Sequence, residues 1–182
     1  MARLVFILVI FMFLAGKEIS LGQTKASLSD FLTQGEGVAI LIEDINETGQ
    51  KIGITKEKLQ KICHDELRLN KISVLSNQDR ARTAKKAYIY VNVSFSEIDD
   101  GWVAFTIRME HRQLAWLNPQ KYFFATTWEQ QTTGLVDLRI GGTAELTTKI
   151  LKQMVNMFSD DYYKAPGNGK RPSTAPPPKP PK

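Results

Sequence analysis

The sequence predicts an α+β fold: a β-α-β unit, then an antiparallel β-meander and a C-terminal helix, in a single two-layer domain. Three observations carry this. Residues 38–75 read as an apolar run, an amphipathic helix and a second apolar stretch. Residues 87–95 and 102–112 alternate apolar and polar around Asp100-Gly101, a hairpin signal. Leu146, Ile150, Met154, Phe158 and Tyr162 recur every four residues, as on one face of a helix.

In the first unit, the run Val38-Ala39-Ile40-Leu41-Ile42 suits a strand covered on both faces, and Glu43-Asp44 returns it to water. Gly49 and Gly53 punctuate the connection. Thr55 is a suitable N-cap, and Ile54 with Leu59 has the spacing of a hydrophobic staple. Leu59, Ile62, Cys63 and Leu67 form the helix's apolar stripe, with Gln60, His64 and Arg68 facing away. Asn70 is the expected left-handed stop, and Ile72, Val74 and Leu75 the expected second strand.

The middle follows the same logic. Residues 76–86 are polar and basic and read as a loop. Ile89, Val91, Val93 and Phe95 then point one way, opposite Tyr88, Tyr90, Asn92 and Ser94. Val103, Phe105, Ile107 and Met109 continue the apolar face, opposite Trp102, Thr106, Arg108 and Glu110. A third meander strand is expected from Tyr122 to about Glu129, after Asn118-Pro119. Residues 134–142 fit a loop or a short strand. The last helix should begin near Thr143, after Gly141-Gly142, and end near Tyr163.

The chain ends differ in kind from this domain. Arg3 precedes an apolar run from Leu4 to Leu14, too short to span a bilayer, which needs about 20 residues. It reads as a signal peptide, residues 1–22, cut after Gly22; an uncleaved anchor is the alternative. Lys17 stands where a lipid-bearing cysteine would follow Leu14-Ala15-Gly16. Residues 23–36 form an N-terminal linker and 37–163 the α+β domain. From Lys164 onward the chain holds seven of its eight prolines and five basic residues with no acid, the composition of a disordered tail over 164–182. Residues 23–163 carry 17 basic and 18 acidic side chains, so the net charge of +5 belongs to the ends. A fold near neutrality argues against a specific nucleic-acid partner.

Catalytic chemistry finds few groups. His64 and His111 are the two histidines, without HExxH, CxxC or GxSxG context. No metal site and no cofactor is expected. Gly35-Glu36-Gly37 precedes a strand, so it is not a dinucleotide fingerprint. Gly141-Gly142-Thr143 could hold an anion on free helix amides, but a plain Thr-capped start accounts for it. Cys63, on the apolar stripe, reads as a core residue, with a bridge between two chains as the alternative. Asn46-Glu47-Thr48 and Asn92-Val93-Ser94 match glycosylation acceptors. Glu43 and Asp44, with His111, are the candidates for carboxylate chemistry in a small envelope hydrolase.

The surface candidate is aromatic. With the apolar strand faces under the helices, Tyr88, Tyr90, Trp102, Tyr122, Phe124 and Trp128 should share the opposite face. Rings interleaved with Thr, Asn and Arg suit a protein or glycan partner, unless another segment covers them. Lys170, Arg171, Lys179 and Lys182 in the tail suit an anionic envelope polymer.

The segments VAILIEDIN, GITKEKLQ, LRLNKISVL, AYIYVNV, ATTW and FSDDYY together resemble a family of small, exported bacterial α+β proteins known mainly as sequences. The resemblance covers residues 37–163 and implies fold and export, with no activity. Asn70 stands where that pattern has Gly. More coarsely, the element order is similar to small domains of envelope lipoproteins that activate peptidoglycan synthases. The expectation is therefore a secreted or periplasmic accessory protein of the cell envelope without catalysis. It would bind a protein or cell-envelope polymer and touch membrane only through an uncleaved signal peptide. A small hydrolase or a small-ligand carrier is the alternative.

Overall fold

The alternation along 88–137 becomes a sheet because the apolar positions of neighbouring strands come into register on one face. The computed structural model describes residues 37–99, 101–118 and 120–165, without the side chain of Asn118. The expected signal peptide, linker and tail from 166 onward, with Lys170, Arg171, Lys179 and Lys182, lie outside the described residues. Strands β2 (Tyr88–Asp99), β3 (Trp102–Asn118) and β4 (Lys121–Asp137) form the antiparallel meander. Strand β1 (Ala39–Ile42) lies parallel to β2, giving the order β1-β2-β3-β4. A parallel pair needs a crossover, here residues 43–87. The fold is α+β, with the two long helices on one face of a mixed sheet.

Ile89, Val91, Val93 and Phe95 stand opposite His111, Met109, Ile107 and Phe105, and all eight are buried. Phe105 faces Gly134 on β4, where an added Cβ would come within 2.7 Å of the ring. Glycine there lets the ring lie across β4.

Two long helices cover this face. Helix α2 (Lys56–Leu69) follows a short helix α1 (Glu47–Lys51). Thr55 caps α2 as its sequence predicts: its Oγ1 accepts from the Lys58 amide at 3.2 Å. Ile54 and Leu59, the staple pair, are both fully buried, as are Cys63 and Leu67. Each such aliphatic side chain contributes about 1.5–3 kcal/mol of burial. Burial also pushes the Cys63 thiol up to about 12, an inert core group. Its enclosure removes the bridge between chains.

The stop of α2 differs from expectation. Asn70 keeps near-helical angles, and Lys71 takes the left-handed conformation at φ 61°. The Ile72 amide donates to the Leu67 carbonyl and the Lys71 amide to the Arg68 carbonyl, which is a Schellman ending. A lysine at that φ costs about 1 kcal/mol relative to glycine. Asn70 instead ties the two long helices together: its Nδ2 donates to Asn156 Oδ1 at 2.9 Å, and its carbonyl accepts from the Tyr163 hydroxyl at 2.8 Å. That tertiary role accounts for Asn at this position.

Four further expectations are corrected. Residues 72–75 make only a single parallel bridge, Val38 to Val74, and not a full strand. β1 is accordingly an edge, and Leu41 is exposed rather than covered on both sides. Residues 76–86 contain helix α3 (Asn77–Arg82), capped by Ser76, whose side chain accepts from the Asp79 amide. Helix α4 (Thr143–Lys164) begins after a left-handed Gly142 without a side-chain cap, and Thr143 is buried instead. Leu151, Met154, Val155 and Phe158 drive α4 onto the sheet. Ala165 beyond it is also buried, so any tail truncation that spares the fold starts at 166.

Candidate functional site

The face of the sheet away from α2 and α4 is the surface that the ring pattern singles out. The structure places those rings in separate settings. Tyr88 and Phe124 meet edge to face with centroids 5.4 Å apart, and Arg80 from α3 lies over Tyr88 at 5.3 Å. Tyr122 lies further out on the same strand, against Trp116 at 5.3 Å. Tyr90 sits under the Arg112 guanidinium at 4.2 Å. Trp102 stands alone at the opposite end, ten residues from Arg112 along β3, or about 33 Å at the strand rise.

Trp128 is inside. Its register partner is His111, whereas Arg112 pairs with Thr126, so Thr127 is an extra residue in β4. This bulge reverses the parity of everything after it. Trp128 turns under α4, is only 5% exposed, packs edge to face on Phe158 at 5.4 Å, and donates from Nε1 to Asp161 Oδ2 at 3.1 Å. It belongs to the core and not to the open face.

Between the ring groups runs a polar ladder that the sequence pattern did not single out. Glu110, on the open face, is 0% exposed. Arg112 Nε meets its Oε2 at 2.5 Å, Thr126 Oγ1 donates to the same oxygen at 3.0 Å, and Arg108 pairs with Oε1 at 2.7 Å. Burial works to raise the Glu110 carboxyl, but the bonds from Arg112 and Thr126 and the charges of both arginines outweigh it and hold it low. Arg108 also reaches Glu129 at 2.8 Å. The ladder fixes Arg112 over Tyr90, whose hydroxyl burial and the bond to Glu43 push up to about 12.

Trp116 was the other omission. Even-numbered positions keep their side through Arg112, Leu114 and Trp116, so continuing the alternation past Arg112 would have found it.

The hydrolase candidates do not converge. Glu43 bonds Asn92 and Tyr90 on the open face. Asp44 points into solvent and is held by Lys56 at 2.7 Å; that hydrogen bond and charge keep its carboxyl below the usual range. His111 lies under the sheet, 3% exposed, with Nδ1 2.7 Å from Thr127 Oγ1, and burial alone pulls it down to about 4. His64 is on the outer side of α2 beside Asp65. Among the described residues no three His, Cys, Asp or Glu gather as a metal site.

Both asparagines of the glycosylation patterns are engaged. Asn46 caps α1 and donates to the Phe95 carbonyl at 2.5 Å, and Asn92 donates to Glu43. At the start of α4, Thr48, Lys51, Glu97, Gly142, Thr143 and Glu145 line a shallow cleft. The two glutamates there offset Lys51 and disfavour an anion.

No family model matches the chain, and no curated protein does. Among solved structures, the crystal structure of the rare lipoprotein B from Shewanella oneidensis is similar over 69% of this chain and 91% of that one. The two are 12% identical with a TM-score of 0.29. Among the described residues no helix is long and apolar enough to cross a membrane.

Proposed function

We propose that this chain is an exported, non-catalytic docking module of the cell envelope that holds a protein or glycan partner on the open sheet face. The observation that carries this reading is the row Arg80–Tyr88–Phe124 beside Arg112–Tyr90. Rings already oriented by guanidinium groups lose little freedom on binding, and the neighbouring Thr126, Glu129 and Gln131 offer hydrogen bonds beside them. Phe124 remains exposed. The Pro- and Lys-rich tail would add a salt-sensitive attraction to anionic polymer.

Co-sedimentation of the chain from Gln23 onward with isolated cell-wall material, and cross-linking to envelope proteins, test this together. Tyr90→Ala with Phe124→Ala should weaken one of these associations at least tenfold. Deleting 166–182 should remove only the part that salt also removes. Full association of the double variant with both materials would overturn the role of this face.

A further inference from the structure

The end of the β3–β4 hairpin carries a second surface, made of other residues. β2 begins at Tyr88, opposite Arg112, so beyond that rung β3 and β4 continue as a ribbon past the layer that α2 and α4 cover. Leu114 pairs with Phe124, Ala115 with Phe123 and Trp116 with Tyr122. Trp116 is 58% exposed, Tyr122 62% and Leu117 72%, and Phe123 is exposed as well. Trp116 and Tyr122 lie on one side of the ribbon and Phe123, by alternation, on the other.

We propose that this hairpin end seats in the headgroup region of an anionic lipid bilayer. A protein docked against one side would leave the rings on the other side in water, whereas a lipid interface surrounds both. Trp and Tyr, apolar bodies with one polar group each, favour that depth. Charge complements it. Residues 80–87 and 113–127 contain no Asp or Glu, while Lys85, Lys86 and Lys121 are exposed there. The Lys85 carbonyl accepts from the Leu114 amide at 2.7 Å, which holds that lysine beside the base of the ribbon. The acids Glu97 and Asp99 sit at the far end of β2, where Asp137 at the end of β4 is paired with Arg139 at 2.8 Å. Basic residues at the ring-bearing end and acids at the other orient the molecule toward a negative surface.

The seating is shallow. Leu114 to Trp116 advances about 7 Å at the strand rise, against a hydrocarbon core of about 30 Å. The unpaired edge of β4 needs water for its amides, which keeps the ribbon at headgroup depth. This contact uses the folded domain, so it goes beyond membrane attachment through a signal segment.

The test is flotation of the chain from Gln23 onward with phosphatidylglycerol–phosphatidylcholine vesicles, and with phosphatidylcholine vesicles alone, at low and high salt. In a Trp102→Phe background, Trp116 reports the seating, since Trp128 is buried with or without lipid. Binding to the anionic vesicles with a blue shift of Trp116 is expected, retained after deletion of 166–182. It should fall at least tenfold with Trp116→Ser plus Phe123→Ser, and with Lys85→Glu plus Lys86→Glu. Absent flotation, flotation lost with the tail alone, or flotation without a Trp116 shift would overturn the proposal. So would a dimer in lipid-free solution whose Trp116 is already blue-shifted, because a second copy would then cover the ribbon. Should the vesicles fail while binding that depends on Tyr90 and Phe124 persists, the open-face reading stands and the lipid contact alone falls.

Discussion

Replacing Trp128 by Ala should destabilise the domain by about 3–5 kcal/mol, the range for truncating a large buried aromatic. The change empties the volume between β4 and α4, removes the contact with Phe158 and leaves Asp161 without the indole N–H. Trp102→Ala, at an exposed ring, should cost less than about 1 kcal/mol. Urea unfolding of the two variants checks both values. A loss below 1 kcal/mol for Trp128→Ala would mean that the bulge at Thr127 does not turn this ring inward.

Stability should also fall on mild acidification, through His111. Its folded value is about 4 against an ordinary 6.5, because burial disfavours the imidazolium. The sign follows from the proton count. Between about 6.5 and 4 the unfolded chain holds a proton that the folded chain lacks, so stability is fully present above 6.5 and is lost toward 4. Going from pH 7.5 to 5 should cost about 2 kcal/mol. The depressed carboxylates of Asp44 and Glu110 act in the same direction but below their ordinary 3.8 and 4.5, so they add little between pH 7.5 and 5. His111→Gln should flatten the dependence whatever its absolute stability. An equal slope in that variant would place the effect elsewhere.

How much of this was legible in the sequence depends on the range of the interactions involved. The cap at Thr55, the Ile54–Leu59 staple and the alternation of 89–95 against 103–109 follow from neighbours a few residues apart. They were readable for that reason. Trp128 was not, because strict alternation puts it with Tyr122 and Phe124, and one inserted residue reverses the side without a Gly or Pro to mark it. The Lys71 stop was hidden by Asn70, a better left-handed residue held near-helical by its bonds to Asn156 and Tyr163. Helix α3 left a trace, Ser76 three residues before Asp79, which the surrounding charge concealed.

The candidate site divides in the same way. Alternation placed Tyr88, Tyr90, Tyr122 and Phe124 on one side of the sheet, but it could not show the gap of about 33 Å to Trp102. Nor could it show the ladder of Glu110, Arg108, Arg112 and Thr126, whose members come from two strands that meet only in the fold. A buried glutamate on an otherwise wet face is legible only once its arginines are seen around it.

Hydroxyl-radical footprinting of the chain, alone and bound to cell-wall material or a cross-linked envelope protein, tests the working face most directly. Protection is expected at Tyr88, Tyr90 and Phe124 on the open sheet face, with Leu69, Leu146 and Met157 on the helix layer as reactive as in the free chain. Protection confined to Leu69, Leu146 and Met157, with the three rings unchanged, would contradict the assignment and move the docking surface to the helices.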